Sequence, residues 1–330
     1  MENLYPIVNT NKPRIIAIDI LKVFAVLVVL NSHMEVAYGK WDVLATGGAI
    51  GDALFFFCSG FMLFRGPSLR FDNFMKRRIS RIYPTVIIVA IVGALLFGRK
   101  DSILQIIISG GGWFVSCIFL YYTVLWIIKR YGLNYLKYIW ITLSVVIIAI
   151  YYFLFDNEGS VSMYGANYFK WVFFFTAMLQ GAQMGLEPSK YTYDNKVILK
   201  LIFCIIVWYG FMIGQHSFKI LVDLQYLSLI PLLGITYYFY LLCRAKFWQK
   251  LYEHRIIGQI IFIIGGLCLE CYLVQGFFIT DKLNRIFPLN LILLVTFILF
   301  FSYIVNFFSS ALAATFRNED YNWREYILKK

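Results

Sequence analysis

The sequence has few charged residues. Asp, Glu, Lys and Arg make up 15% of its 330 residues, whereas soluble domains carry about 25%. Hydrophobic residues make up 61%, and the mean hydropathy is +0.72. This composition excludes a soluble enzyme, a disordered chain and a small disulfide scaffold, and it predicts a membrane protein.

Residues that bind metals or take part in redox chemistry are also scarce. There are three histidines and six cysteines, and every cysteine falls inside an apolar stretch. The only close pair, Cys268 and Cys271, has no histidine or further cysteine nearby. We therefore expect the cysteines to be small core residues, without a zinc site or a disulfide framework.

Long apolar runs separated by charged breaks predict an all-α membrane protein, because a membrane helix needs about 20 mostly apolar residues. The runs predict ten transmembrane helices, at about residues 15–36, 47–64, 83–98, 113–129, 137–155, 168–186, 197–214, 221–243, 257–280 and 288–314. Residues 102–109, before a glycine triplet, are expected to re-enter the bilayer. No long hydrophilic insertion interrupts the runs. A single membrane domain is therefore predicted for residues 1–330, with a tail at 315–330.

The distribution of basic residues predicts the orientation. The net charge is +12, but the basic residues flank apolar blocks and form no single patch, which argues against nucleic acid. With ten spans, 22 Lys and Arg residues fall on the side of the amino terminus and 7 on the other. Because positive charge accumulates in cytoplasmic loops, both termini are predicted to be cytoplasmic.

Three ionisable residues occur in the first predicted span: Asp19, Lys22 and His33. At about 100° and 1.5 Å per residue, Lys22 and His33 share a face and lie about 16 Å apart along the helix. In one interpretation Asp19 pairs with Lys22 at the inner boundary, and His33 caps the helix in the outer headgroup zone. In the other, the three residues line a functional cavity, because ionisable residues within membranes mark function.

A basic segment follows the second predicted span and includes Arg77, Arg78 and Arg81, before Pro84. Arg78 and Arg81 are three residues apart, so on a helix they point the same way. The segment is either an anchor for anionic lipid or a cytoplasmic site for a polyphosphate group, since arginine matches phosphate geometry in a bidentate manner.

Glu270 interrupts the ninth predicted span, and Gln259 lies on the same face of that helix. A carboxylate in this environment must be neutral, paired or hydrated. It either pairs with Lys22 or with an arginine of the basic segment, which is a structural role, or it acts as an acid or base.

Five segments, in the same order and at the same predicted depth, resemble motifs of the acyltransferase-3 family of membrane acyltransferases. They are residues 18–22 (IDILK) followed by His33, 55–61 (FFFCSGF), 77–84 (RRISRIYP), 113–115 (WFV) and 269–275 (LECYLVQ). The resemblance runs from about residue 15 to about residue 315. Ten spans with both ends inside also fit that family.

The resemblance implies transfer of an acyl group, commonly acetyl, from cytoplasmic acyl-CoA to a sugar hydroxyl. The acceptor would be a cell-envelope glycan or its lipid-linked precursor, and the location a bacterial-type cytoplasmic membrane. Acyl-CoA would be a co-substrate, with no bound cofactor and no metal. The site residues expected on this basis are His33 and Glu270 for catalysis, and Asp19, Lys22, Arg77, Arg78, Arg81 and Trp113 for the donor.

His33 is expected to be the general base for the acceptor hydroxyl, since an imidazole has an ordinary pKa of about 6.5. A covalent acyl-imidazole is the alternative route. Two residues depart from the family pattern. Lys22 replaces an arginine and loses the bidentate fork, and Gln275 replaces a histidine and cannot act as a base.

Two other functions remain open from the sequence. Ten helices with an internal polar stripe also describe a transporter of a glycan or glycolipid. The differences from the family pattern at Lys22 and Gln275 are also consistent with a membrane scaffold that has no catalytic activity. The length of the acyl group, the acceptor and the oligomeric state are not specified by the residues.

Overall fold

The computed structural model describes residues 14–154, 163–165, 169–316, 321, 323 and 326. Over these residues the chain is helical and contains no strand. The helices are α1 Ile16–Ser32, α2 Glu35–Tyr38, α3 Gly48–Arg65, α4 Phe71–Phe97, α5 Ile103–Ser109, α6 Gly112–Tyr131, α7 Leu136–Leu154, α8 Lys170–Leu186, α9 Lys196–Gly214, α10 Lys219–Asp223, α11 Leu229–Cys243, α12 Lys246–Glu253, α13 Arg255–Gly266, α14 Cys268–Phe278 and α15 Leu289–Thr315. Short 3-10 turns occupy Gly39–Leu44, Leu133–Tyr135, Pro188–Lys190, Gln225–Ser228 and Asn284–Ile286.

Many of these helices are long and apolar enough to cross a membrane. Among the described residues seven meet this description, and the number is nine if α1 with the segment 35–44, and α13 with α14, each cross as one bent span. The predicted all-α membrane fold is thus confirmed in its coarse form. Ten spans and cytoplasmic termini remain predictions, and most of the predicted tail at 315–330 lies outside the described residues.

The chain divides into two compact units. The first contains residues 1–25, 49–68 and 121–258, and the second contains residues 26–48, 69–120 and 259–330. The first unit therefore holds α7 to α12 and nearly all of α3. The second holds α2, α4, α5, α14 and α15, while α1, α6 and α13 belong partly to each.

In the first unit, α3 and α8 pack with their backbones in contact. A Cβ atom added to Gly60 would lie 1.9 Å from the Met178 carbonyl oxygen, and one added to Gly181 would lie 2.0 Å from that of Phe57. Gly185 approaches the Phe61 carbonyl in the same way. The spacing of Gly181 and Gly185 is the small-residue pattern that lets membrane helices approach closely. The glycine of the segment FFFCSGF is Gly60, and its contact with the Met178 carbonyl explains why a larger residue does not fit there.

The end of α3 is held by a lysine from α6. The Lys129 Nζ donates hydrogen bonds to the carbonyl oxygens of Leu63 and Gly66, both at 2.7 Å, and of Pro67 at 3.3 Å. The last carbonyls of a helix have no partner within the helix. A positive charge there satisfies them and opposes the negative end of the helix dipole.

The core of the second unit lies between α4, α14 and α15. Val89, Val274 and Val305, one from each helix, are buried together. Near them the Phe278 ring lies 4.5 Å from that of Phe301. This three-helix packing places the polar residues of α14 against α4 and α15.

The basic segment belongs to a helix and not to a loop. α4 begins at Phe71 and continues without interruption through Pro84 to Phe97, so the arginines lie on the amino-terminal extension of a membrane helix. Proline removes one backbone donor, which membrane helices tolerate because neighbouring groups compensate. The segment predicted to re-enter the bilayer forms α5, whose seven residues are too short to cross it.

Two predicted spans are bent, and this changes which residues share a face. The axis turns by 69° after α1 and by 76° between α13 and α14. Gln259 and Glu270 therefore lie on different helices, and the prediction that they share one helical face is wrong. Gly265 and Gly266 precede the second break, where their low helix propensity weakens the helix.

Candidate functional site

His33 lies at the first of these breaks. α1 ends at Ser32, and its last turn tightens, since the His33 amide donates to the Leu30 carbonyl at 3.2 Å, three residues back. The imidazole is exposed and makes no hydrogen bond within the described residues. Because regular helix stops one residue earlier, the prediction that His33 continues the face of α1 does not hold.

The backbone after His33 folds back and is closed by Asn31. The Asn31 Nδ2 donates to the carbonyl oxygens of Leu44 at 2.9 Å and Thr46 at 3.1 Å. The Tyr38 hydroxyl donates to Asn31 Oδ1 at 2.6 Å. One side chain at the end of α1 thus ties both ends of the segment 38–46, which begins five residues after His33.

The arginines form one face of α4 in the same unit. From Arg77, Arg81 is displaced by about 40° and Arg78 by about 100° around the helix. Arg77 and Arg81 are exposed, whereas Arg78 is half-buried with its guanidinium 5.2 Å from the Phe74 ring. The face carries three positive charges that an anionic group can approach.

Glu270 is buried in the second unit and joins three helices. Its Oε1 accepts hydrogen bonds from Thr85 Oγ1 of α4 at 3.3 Å and from Asn306 Nδ2 of α15 at 2.5 Å. Within the described part of this unit no cation pairs with it, so the alternative in which Glu270 pairs with an arginine of the basic segment is wrong. Glu270 lies in the first turn of α14.

Trp113 is the second residue of α6 and is half-buried, with its ring 6.1 Å from that of Phe114 in an edge-on arrangement. The residue before it, Gly112, has a φ of +64°. A Cβ atom at Gly112 would lie 3.1 Å from the Tyr272 hydroxyl of α14. The positive φ favours glycine there, and the close approach of Tyr272 leaves little room for a larger residue.

Asp19 and Lys22 fall in the first unit, whereas the other six predicted site residues fall in the second. Asp19 is buried and pairs with Arg14 at 2.5 Å, and it accepts a longer hydrogen bond, 3.4 Å, from the Tyr252 hydroxyl of α12. Burial and the Asp19 carboxylate raise the pKa of Tyr252. The interpretation in which Asp19 pairs with Lys22 is therefore wrong. Lys22 is half-buried and has no ion pair among the described residues.

Because Asp19 does not pair with Lys22, the role of the lysine charge can be tested by replacing Lys22 alone. If its charge steers the donor, Lys22→Met should raise the KM for acetyl-CoA about tenfold, as expected for the loss of about 1.5 kcal/mol, and Lys22→Arg should retain or improve activity. Lys200→Met, which removes an exposed lysine of α9, is the matched control. Wild-type kinetics in Lys22→Met would mean that the lysine only extends toward the membrane surface.

The sequence pattern did not identify the partners of Glu270. Asn306 is a single polar residue in an apolar run, and Thr85 directly follows Pro84, so neither residue alone indicates a partner for a buried carboxylate. The signal that could have found them is the pairing of polar residues in different apolar helices, since a buried carboxylate needs donors.

The comparison with protein families agrees with these features. The acyltransferase-3 family model, described as an acyltransferase domain, matches residues 15–314. Searches of curated proteins and of solved structures return no match. The matched range includes His33, the arginine face of α4, Trp113 and Glu270, and it covers most of the 330 residues. The chain belongs to the acyltransferase-3 family of acyltransferases.

Proposed function

We propose that the protein transfers an acyl group, in the first instance acetyl, from cytoplasmic acyl-CoA to a hydroxyl of a cell-envelope glycan or of its lipid-linked precursor. The acceptor oxygen attacks the thioester carbonyl carbon, the carbon–sulfur bond breaks, and CoA leaves as the thiolate. His33 takes the hydroxyl proton and passes it on to the thiolate, so that an ester and CoA thiol are the products.

The observation that carries this proposal is the placement of His33. Its imidazole is exposed at a break between helices, while the backbone around it is fixed by hydrogen bonds. A general base needs access to its substrate and a defined position. The buried Glu270, fixed by Thr85 and Asn306, tethers the arginine-bearing helix α4 to α14 and α15.

The experiment uses purified full-length protein with acetyl-CoA and n-octyl β-D-glucoside as a sugar acceptor. Release of CoA thiol is followed with a thiol-reactive dye, and the acetylated glucoside is identified by mass spectrometry. We expect both products in equal amounts. Absence of the ester, together with no change in surface-glycan acetylation when the protein is expressed in cells, would contradict the proposal.

The donor phosphates are assigned to the arginine face of α4. Arg78→Ala and Arg81→Ala should each raise the KM for acetyl-CoA about tenfold or more, because a charge-assisted hydrogen bond contributes about 1.5–3 kcal/mol. Lysine at either position should rescue only in part, since it keeps the charge and loses the fork. The measurement is initial rate against acetyl-CoA concentration.

The control for this series is Arg99→Ala. Arg99 follows α4 at its other end, pairs with Asp101 at 3.1 Å and should leave the KM unchanged. If lysine fully restores the affinity at Arg78 and Arg81, the arginine face is an electrostatic anchor for lipid and not a phosphate site.

A transporter is the second candidate, and the two bent spans favour it. Helices broken within a membrane supply charged ends to substrates in many carriers. A carrier would move a glycolipid across vesicle membranes without releasing CoA thiol from acetyl-CoA. The same assay therefore separates the two functions.

A further inference from the structure

The short helix that follows His33 is held by two asparagines from the far end of the chain. In the second unit the Asn284 Nδ2 donates to the Val36 carbonyl at 2.8 Å, and the Asn290 Nδ2 donates to the Ala37 carbonyl at 2.7 Å. The Asn290 Nδ2 also donates to Asn284 Oδ1 at 3.3 Å. We call Asn284 and Asn290 the asparagine clasp.

The clasp fits α2 closely. Asn290 is fully buried, so water cannot replace the Ala37 carbonyl as the acceptor of its amide hydrogen bond. Gly39, at the end of α2, has a φ of +57°, and a Cβ atom there would lie 3.3 Å from Asn284 Nδ2. The backbone conformation and the contact thus disfavour other side chains at Gly39.

The position of His33 depends on its backbone. The imidazole makes no hydrogen bond of its own among the described residues, so no side-chain partner orients it. Asn31 fixes the chain before His33 and closes the segment 38–46, and the asparagine clasp fixes α2 directly after it. A misplacement of about 1 Å in a reacting group can cost about 10²-fold in rate.

We propose that Asn290, together with Asn284, is a positioning residue that holds the His33 imidazole in its reactive place through the carbonyls of α2. The inference rests on the proposed function of His33 as general base. It adds two residues that lie more than 240 positions away in sequence from the helix they hold. Neither asparagine touches the substrate in this proposal.

The test compares Asn290→Asp, Asn284→Asp and Ser309→Ala in full-length purified protein. Each aspartate keeps the size of asparagine and replaces the amide donor with an oxygen that repels the carbonyl. Ser309 is the control because it is buried in the same unit and donates only to Val305 of its own helix. Three measurements are made: kinetics with acetyl-CoA and n-octyl β-D-glucoside, hydrogen exchange of residues 33–44, and modification of the histidines by diethyl pyrocarbonate.

In both aspartate variants we expect kcat to fall about 10- to 100-fold while the KM for acetyl-CoA stays within about twofold, since only the alignment of the base is disturbed. Amides of residues 33–44 should exchange faster. The modification rate of His33 should change, whereas those of His216 and His254 should not. Ser309→Ala should match the wild type in every measurement.

Several outcomes would overturn the proposal. Unchanged exchange at 33–44 would show that the asparagine clasp does not hold α2. Faster exchange with an unchanged kcat would show that α2 is held without effect on His33. If Asn290→Asp fails to fold, Asn284→Asp decides alone, because Asn284 is half-buried and lies outside α15. Failure of the proposed function is distinct, because it would appear as full activity in His33→Ala.

Discussion

Replacing His33 with alanine is expected to lower the rate of acyl transfer about 10²–10⁴-fold, the usual contribution of a general base. The exposed imidazole makes no hydrogen bond within the described residues, so its removal leaves no hydrogen-bond partner there unsatisfied. We therefore expect the variant to insert and fold normally. The measurement is the initial rate of CoA release and ester formation, with the melting temperature as the test of folding.

His216→Ala and His254→Ala are the matched controls, since they are the only other histidines in the chain. Both should retain the wild-type rate. Any pH dependence of the wild-type rate that comes from titration of this imidazole should be lost in His33→Ala, because the titrating group is gone. Full activity in His33→Ala would instead assign His33 to capping the end of α1.

Replacing Gly181 with leucine is expected to prevent stable folding of the first unit. A Cβ atom at this position meets the Phe57 carbonyl oxygen at 2.0 Å, so α3 and α8 must separate. Overpacking a tight core costs about 1–3 kcal/mol, and here the obstacle is backbone, which cannot rotate away. The measurement is the yield of monodisperse protein and its melting temperature in detergent.

Gly210→Leu provides the control. Gly210 lies on α9 in the same unit, and a Cβ atom there has no neighbour within 4 Å. The substitution also replaces a poor helix former with a good one. We expect wild-type yield and equal or higher stability. Wild-type behaviour of Gly181→Leu would show that α3 and α8 are not in backbone contact.

The helices could be predicted from the sequence because most apolar runs come close to the length of about 20 residues that a membrane helix needs. The runs at 47–64 and 197–214, for example, correspond within a few residues to α3 and α9. Apolar composition alone is sufficient to predict these helices, because a backbone in lipid must satisfy its own hydrogen bonds and a helix does so. The family resemblance was likewise visible in short segments such as 77–84, and the family match confirms it.

The bends could not be predicted in the same way. Apolar composition is continuous across residues 257–280, so the change of direction at Leu267 leaves no mark in hydropathy. Gly265 and Gly266 are the only sequence feature at this bend, and they do not predict it, because glycine is common in membrane helices. Arithmetic based on 3.6 residues per turn therefore failed for Gln259 and Glu270, which lie on opposite sides of a break, and for His33, which lies at one.

The polar contacts depend on tertiary packing and were the hardest to predict. Asp19 had a basic neighbour three residues away in Lys22, yet it pairs with Arg14 just before the helix. Glu270 had several basic candidates, yet its partners are neutral. Charge alone does not select a partner, because geometry and desolvation decide which pairs form.

The contact between Lys129 and the end of α3 has a consequence for the order of events during synthesis. The three carbonyls that Lys129 binds precede it by 62 to 66 residues. At about 5–20 residues per second the ribosome needs about 3–13 seconds to supply that lysine. During this interval the nascent chain presents the end of α3 without its partner, and the turn at 63–67 can close only when the later helix arrives.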